Sequence, residues 1–244
     1  MPEHTTLIIG ASSDIGGEII RAIDSTDAVI LAHYHQSAGK IESLAEKLSA
    51  RLIPLIANLA DEPETQKLIE TAQTHCPCPE NILLLAAPKV TNVRFKNLTW
   101  SDFLVHLNIQ LRAAAMILMN FLPRMAQVKH GRVIFLLSSY TLGVPPAALS
   151  HYLTAKYALL GLMKSLAREY ADKHLNINAV SPSMVETSFL SEIPDKIIEL
   201  SAQQHPLKRN ALPADIAPLV KFLLSENAHY ITGVNFPVTG GLTF

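Results

Sequence analysis

Apolar and polar positions along the chain alternate between two periods. The short apolar runs "TLIIG", "AVILAH", "RLIPLIA", "NILLLAA", "GRVIFLLSS", "LNINAV" and "ITGVNFPV" have the length of buried strands. Between them lie stretches with apolar residues three and four apart, the spacing of one helical face. "DIGGEIIRAI" repeats at Ile15, Ile19, Ile20 and Ile23, and "AGKIESLAEKLSA" at Ile41, Leu44, Ala45 and Leu48. "PETQKLIETAQ" places Pro63 in a first helical turn, where its missing N–H costs nothing. Further helices are predicted over Trp100 to Met125, Leu149 to Ala171 and "ADIAPLVKFLLSE".

Seven strands alternating with helices predict an α/β fold of three layers, a doubly wound parallel sheet with helices on both faces. Ligands of such sheets bind beyond the carboxyl ends of the strands, where strand order reverses. The chain reads as one domain, 1–244. Its one irregular stretch, about 184–210, carries Pro194 and Pro206 and follows a strand end, which predicts a lid.

Composition narrows the function classes. The 244 residues hold 20 basic and 21 acidic side chains, with no basic patch and no run of like charge. Nucleic acid is therefore not an expected partner. Cys76 and Cys78, in "HCPCP", are too few for a disulfide framework and lack metal-ligand spacing, so a plain surface loop is predicted. "MPEHTTLIIGA" lacks the pattern of a secretory signal, and "RAAAMILMNFLPRM" reads as too short to span a membrane. A cytoplasmic protein is expected.

Candidate chemistry starts in "IIGASSDIGGEII", a strand, a glycine-bearing turn and a helix, the arrangement that cradles a phosphate. Asp14 is unusual there. Asp is a favoured helix N-cap, so it is predicted to cap the helix with its carboxylate turned from the phosphates. Backbone N–H groups and Ser12 or Ser13 would then face them. In "SHYLTAKYALLG", Tyr152 and Lys156 are four apart on one largely apolar face. Ser139 ends an apolar strand thirteen residues before Tyr152, and Asn108 interrupts an apolar helix, where its amide would need partners. His151 is predicted to lie on the helix surface.

Together these residues resemble the short-chain dehydrogenase/reductase family, over nearly the whole chain. "IGASSDIGG" is similar to its T-G-x-x-x-G-x-G turn, Asn108 to its helix asparagine, and Ser139, Tyr152 and Lys156 to its serine and Y-x-x-x-K. "NINAVSPSMVET" and "SENAHYITGVNFPVTGG" resemble its later segments. The resemblance implies a Rossmann fold, a nicotinamide cofactor and a catalytic set of Asn108, Ser139, Tyr152 and Lys156. It implies cofactor contacts from Gly10, Ser12, Ser13, Asp14, Ile15 and Gly16 in the turn. His33, Tyr34, His35, Asn58 and Leu59 would serve the adenosine end, with Ala86 and Ala87 beside it. Tyr152, Lys156, Pro182, Val185 and Thr187 would serve the nicotinamide end.

In that family the tyrosine is general acid in carbonyl reduction, or base in the reverse direction. An ammonium about 5 Å away, at an effective dielectric of ~20, would favour the phenolate by ~3 kcal/mol, or roughly 2 pKa units. Lys156 is thus expected to pull Tyr152 down. Ser139 would hold the substrate oxygen, and Asn108 a water that feeds protons to Lys156.

At the end of the second strand His33 stands where an NAD-selecting carboxylate would be, and His35 follows. "HYHQSA" also resembles a stretch of NADPH-dependent pteridine reductases. NADP(H) is favoured, with NAD(H) the alternative. Four positions depart from the family pattern: "LAAP" at Leu85 to Pro88, Asn58 for an Asp, Ser183 for a Gly, and Thr239 for an Asp. The expected substrate is a small carbonyl or alcohol compound, acyl-chain linked in the nearest subgroup, 3-oxoacyl-(acyl carrier protein) reductases. Tyr140, Leu142, Val144, Pro145 and Leu149 are predicted to wall its pocket. The family implies a homo-oligomer, tetramer or dimer. The competing reading is a nucleotide-binding scaffold or sensor without turnover.

Overall fold

The computed structural model describes residues 4–243. One sheet of seven parallel strands forms in the order β3-β2-β1-β4-β5-β6-β7. The strands are β1 His4–Ile9, β2 Ala28–Tyr34, β3 Arg51–Ile56, β4 Asn81–Leu84, β5 Gly131–Leu136, β6 Leu175–Pro182 and β7 Asn235–Val238. Strand order reverses between β1 and β4, and that crevice is where a ligand is expected.

Eight α-helices intervene among the described residues: α1 Asp14–Ile23, α2 Ala38–Ala45, α3 Glu62–His75, α4 Trp100–His106, α5 Ala113–Val128, α6 Ser150–Glu169, α7 Asp195–Gln204 and α8 Pro213–Leu223. The strands alternate their side chains between two buried layers. Leu7, Ile82 and Phe135 face α3, α5 and α6 through Leu68, Phe121 and Met163. Ile8, Leu83 and Ile134 face α1 and α8 through Ile19, Ile20 and Val220. This two-sided burial is why the strands read as continuous apolar runs.

Three expectations change here. The segment from Trp100 is not one α-helix. A π-helical turn, Leu107–Arg112, joins α4 to α5, giving 29 continuous residues. That is long and apolar enough to cross a membrane, which corrects the expectation on length. Its buried stripe, Ala114, Ile117, Phe121 and Met125, belongs to the core layer against the sheet. Cys76 and Cys78 are free thiols but half-buried against that same layer, rather than on a plain surface loop.

Candidate active site

The cleft at the carboxyl ends of the strands has a volume of about 750 Å³. It runs from the α1 turn, past the ends of β2 and β4, to α6 and the 184–197 segment. Of the residues predicted for catalysis or for the cofactor, all line it except Gly16 and Asn108.

The floor is set by glycine. Gly10 has φ of 90°, in the left-handed region, and a Cβ there would stand 2.8 Å from the Ala86 backbone nitrogen. The strand ends of β1 and β4 therefore approach more closely than any side chain permits. Gly16 is buried beneath the turn, and a Cβ there would meet the Ala11 carbonyl oxygen at 2.7 Å. It packs the helix on the strand rather than facing the cleft. The Ser13 hydroxyl accepts from Gly16 N at 3.0 Å and donates to the Gly10 carbonyl at 2.8 Å. Ser13 is thus the cap of α1. The amides of Ser12, Asp14 and Ile15 have no backbone partner among the described residues. Free amides at a helix start, on residues that line the cleft, fit a dinucleotide pyrophosphate.

Asp14 is therefore not the cap, which corrects the sequence expectation. As the first helical residue it has its carboxylate engaged elsewhere. Oδ1 accepts from Lys40 Nζ at 2.8 Å, and Oδ2 accepts from Ser188 N at 2.6 Å and Ser188 Oγ at 2.8 Å. Burial resists ionisation of Asp14, but these bonds outweigh it and hold its pKa below the usual value.

His33 is also corrected. Its ring is buried, with Nδ1 accepting from Gly10 N at 3.0 Å and Nε2 donating to the Ala57 carbonyl at 3.1 Å. Both nitrogens are spent as those of a neutral imidazole, and burial lowers its pKa to about 4. His33 buttresses the turn and has no donor left for a phosphate. Exposed His35 lies beyond it, with Gln36, Ser37 and Lys40 on the cleft wall. Lys40 was missed in the sequence because it waits six residues past the strand, in the first turn of α2. The Asn58 amide oxygen accepts from Ala60 N at 3.1 Å, which holds the β3 end in a tight turn.

At the other end of the cleft, α6 places Tyr152 and Lys156 on its buried face, 7% and 3% exposed. Lys156 Nζ donates to the Leu136 carbonyl at 2.7 Å and lies 5.6 Å from the Tyr152 ring centre. Burial lowers the Lys156 pKa to about 7. Burial also raises Tyr152 well above the usual phenol value, only partly offset by the hydroxyl of Ser138. The net direction for Tyr152 is therefore upward, so desolvation outweighs the downward pull expected from Lys156.

Of the two serines it is Ser138 whose hydroxyl acts on the phenol's ionisation, while its Oγ accepts from Tyr140 N at 3.3 Å. β5 ends at Leu136, and Ser138 continues it in extended backbone before the chain tightens into the turn Ser139–Thr141. Counting thirteen residues back from Tyr152 overlooked that turn. Ser139 lines the cleft one step away. Asn108 sits in the π-helical turn, half-buried, and no described group bonds its side-chain amide; its neighbour Ile109 reaches the cleft. His151 is buried rather than surface-exposed, with neither ring nitrogen bonded, and stacks edge-on to His106 at 4.9 Å.

Past Tyr152 the walls become apolar. Val90, Leu149, Tyr152, Leu153 and Ile193 form a small cluster with Tyr140, Phe189 and Leu190 around it. Tyr140 and Leu149 are placed as predicted; Leu142, Val144 and Pro145 are not, and Val144 is 96% exposed.

A family model described as Enoyl-(Acyl carrier protein) reductase matches residues 10–243. The chain is 31% identical, over 98% of its length and 96% of the relative's, to 3-oxoacyl-(acyl-carrier-protein) reductase FabG of Rickettsia felis. It is 28% identical to the Staphylococcus aureus protein of the same name, covering 98% and 97% of the two chains. It is 29% identical to nodulation protein G of Rhizobium meliloti, covering 97% and 95%. Among solved structures, a gluconate 5-dehydrogenase from Beutenbergia cavernae, described as putative and NAD(P) dependent and holding NADP, superposes with a TM-score of 0.88. That match has 23% identity and covers 99% and 97% of the two chains. The keto-reductase LugOII superposes with a TM-score of 0.86 at 19% identity, covering 98% of each. At these identities the two structures speak for the fold.

Proposed function

Because the chain belongs to the short-chain dehydrogenase/reductase family, we propose that this enzyme is an NADP(H)-dependent reductase of a ketone or aldehyde. The observation that carries the reading is the buried Tyr152–Lys156 pair, with Ser138 lining the same end of a cleft of about 750 Å³.

The residues would hold the cofactor with its pyrophosphate on the Ser12–Ile15 amides and its adenosine against Tyr34, His35, Asn58 and Leu59. Ala86 and Ala87 allow close approach. Pro182, Val185 and Thr187 border the nicotinamide end. When bound, the cofactor supplies the hydride. Ser138 donates a hydrogen bond to the substrate oxygen and stabilises charge as it develops there. Tyr152 delivers the proton to that oxygen. Its raised pKa keeps the phenol protonated at neutral pH, which suits the acid of a reduction better than the base of an oxidation. Lys156, with a pKa near 7, both donates and accepts a proton at working pH and refills the phenol. Asn108, at the π-helical turn, keeps the water-holding role the family implies.

NADP(H) is favoured over NAD(H) because no carboxylate ends β2 and Lys40 brings an ammonium to that wall. The apolar cluster beyond Tyr152 suits an acyl chain. Exposed Trp100, Leu104, Val105 and Met119 on the long helix support a homo-oligomer.

The test is oxidation of NADPH and NADH with ketones of graded chain length, including 3-oxoacyl thioesters. NADPH-dependent turnover that improves with chain length supports the reading. Tight nucleotide binding without turnover across the panel supports the scaffold instead. His35→Asp and Lys40→Ala are each expected to move preference toward NADH; an unchanged ratio removes that residue from the 2′-phosphate site.

A further inference from the structure

We infer that Asp14 is a positioning residue, a latch that ties the start of the lid to the cofactor turn and thereby sets the rate of cofactor exchange. The inference rests on the reading that the cleft takes a nicotinamide dinucleotide. One carboxylate joins three parts of the chain. Asp14 opens α1, Lys40 stands in the first turn of α2, and Ser188 lies 174 positions away in sequence from Asp14. All three residues line the cleft. The two bonds from Ser188, 2.6 Å from its amide and 2.8 Å from its hydroxyl, end on the same oxygen. They fix the first residue of the turn Ser188–Leu190 over the groove.

The latch also explains how a carboxylate is tolerated in a phosphate turn. Asp14 leaves the amides of Ser12, Asp14 and Ile15 without a backbone partner among the described residues, while its charge is neutralised by Lys40 and shared with Ser188. The turn it holds carries Phe189 and Leu190 onto the cluster around Tyr152. Fixing Ser188 therefore also orders the apolar wall beside the acid. A dinucleotide entering or leaving the groove has to pass the strap running from Val185 to Ser188, which opens only when these bonds break.

Ser188 permits a clean test. Thr187 is extended, with φ of −150° and ψ of 166°, and Ser188 opens a helical turn. Proline is accepted at such a position and removes both donors. NADPH release is followed by stopped-flow fluorescence in wild type, Ser188→Pro and Ser188→Thr. Hydrogen exchange of segment 186–190 is measured in wild type and Asp14→Ala without cofactor. Release about five- to tenfold faster in Ser188→Pro is expected, as for loss of charge-assisted bonds, with Ser188→Thr near wild type. Exchange at 186–190 is expected to rise by a similar factor in Asp14→Ala. Unchanged exchange, or wild-type release from Ser188→Pro, overturns the latch. Failure of the wild type to bind NADPH overturns the dinucleotide reading instead, and the exchange result then decides the latch alone.

Discussion

At the amino end of the sheet, Arg132 on β5 is 3% exposed, and its guanidinium meets Glu80 at 3.4 Å and Glu226 at 2.7 Å. His130 and His4 complete the cluster, at 2.9 Å and 2.7 Å from Glu80. At the carboxyl end Lys156 is equally buried, yet its ammonium has no carboxylate partner among the described residues, only the Leu136 carbonyl. Counter-charge at Arg132 makes a structural cluster. The Glu80, His130 and Glu226 ligand atoms lie within 4.8 Å of one another, a spacing that could suit a metal, but the guanidinium already brings a cation to it. Lack of counter-charge at Lys156 leaves a group poised to change protonation near neutral pH. A buried charge that is left unpaired beside a cleft is thus the better guide to chemistry.

The contrast is broken most severely at Lys156. Lys156→Met is expected to lower kcat by roughly 10²- to 10⁴-fold, the usual worth of an acid–base group. The same change should raise unfolding free energy by on the order of 1–3 kcal/mol, since it removes a desolvated amine. Loss of activity together with loss of stability would place Lys156 with the structural charges. Next, Ser138→Ala should cost on the order of 10² in kcat, and Ser139→Ala far less. The reverse order would return the substrate-oxygen role to Ser139.

At the other end, Glu80→Ala should destabilise by on the order of 3 kcal/mol, because it strips a buried guanidinium of a partner. Its kcat should stay at the wild-type value, and a fall in kcat without a fall in Tm would blur the distinction between the two ends. Stability should also depend on pH through two buried histidines. His33 and His106 both have folded-state pKa values lowered to about 4 by burial. Above the ordinary histidine pKa they are neutral in both states. As pH falls toward 4 the unfolded chain binds protons that the native chain refuses, so stability is lost across that window. Each contributes up to about 3 kcal/mol. Urea titrations of His33→Gln between pH 7 and 4 should show a shallower slope than wild type.

The strand runs and the glycine turn were legible because burial on both faces and close backbone approach each demand a residue type. The seven-stranded sheet and the cleft follow from them. What escaped the sequence depended on partners far along the chain. Asp14 reads as a cap until Ser188 is seen beside it. His33 reads as a polar strand end until Gly10 N and the Ala57 carbonyl are found on its two nitrogens. Ser138 and Ser139 differ only in which of them precedes the turn. The π-helical bulge at Asn108 adds a residue to a helix whose apolar spacing stays helical on either side.

The central claim is that Tyr152 is the proton donor of a carbonyl reduction. Tyr152→Phe tests it most directly, with NADPH affinity measured by fluorescence alongside turnover of the best substrate of the ketone panel. The account predicts NADPH binding within about twofold of wild type and kcat lower by at least about 10². Turnover at the wild-type rate with the cofactor still bound would contradict it.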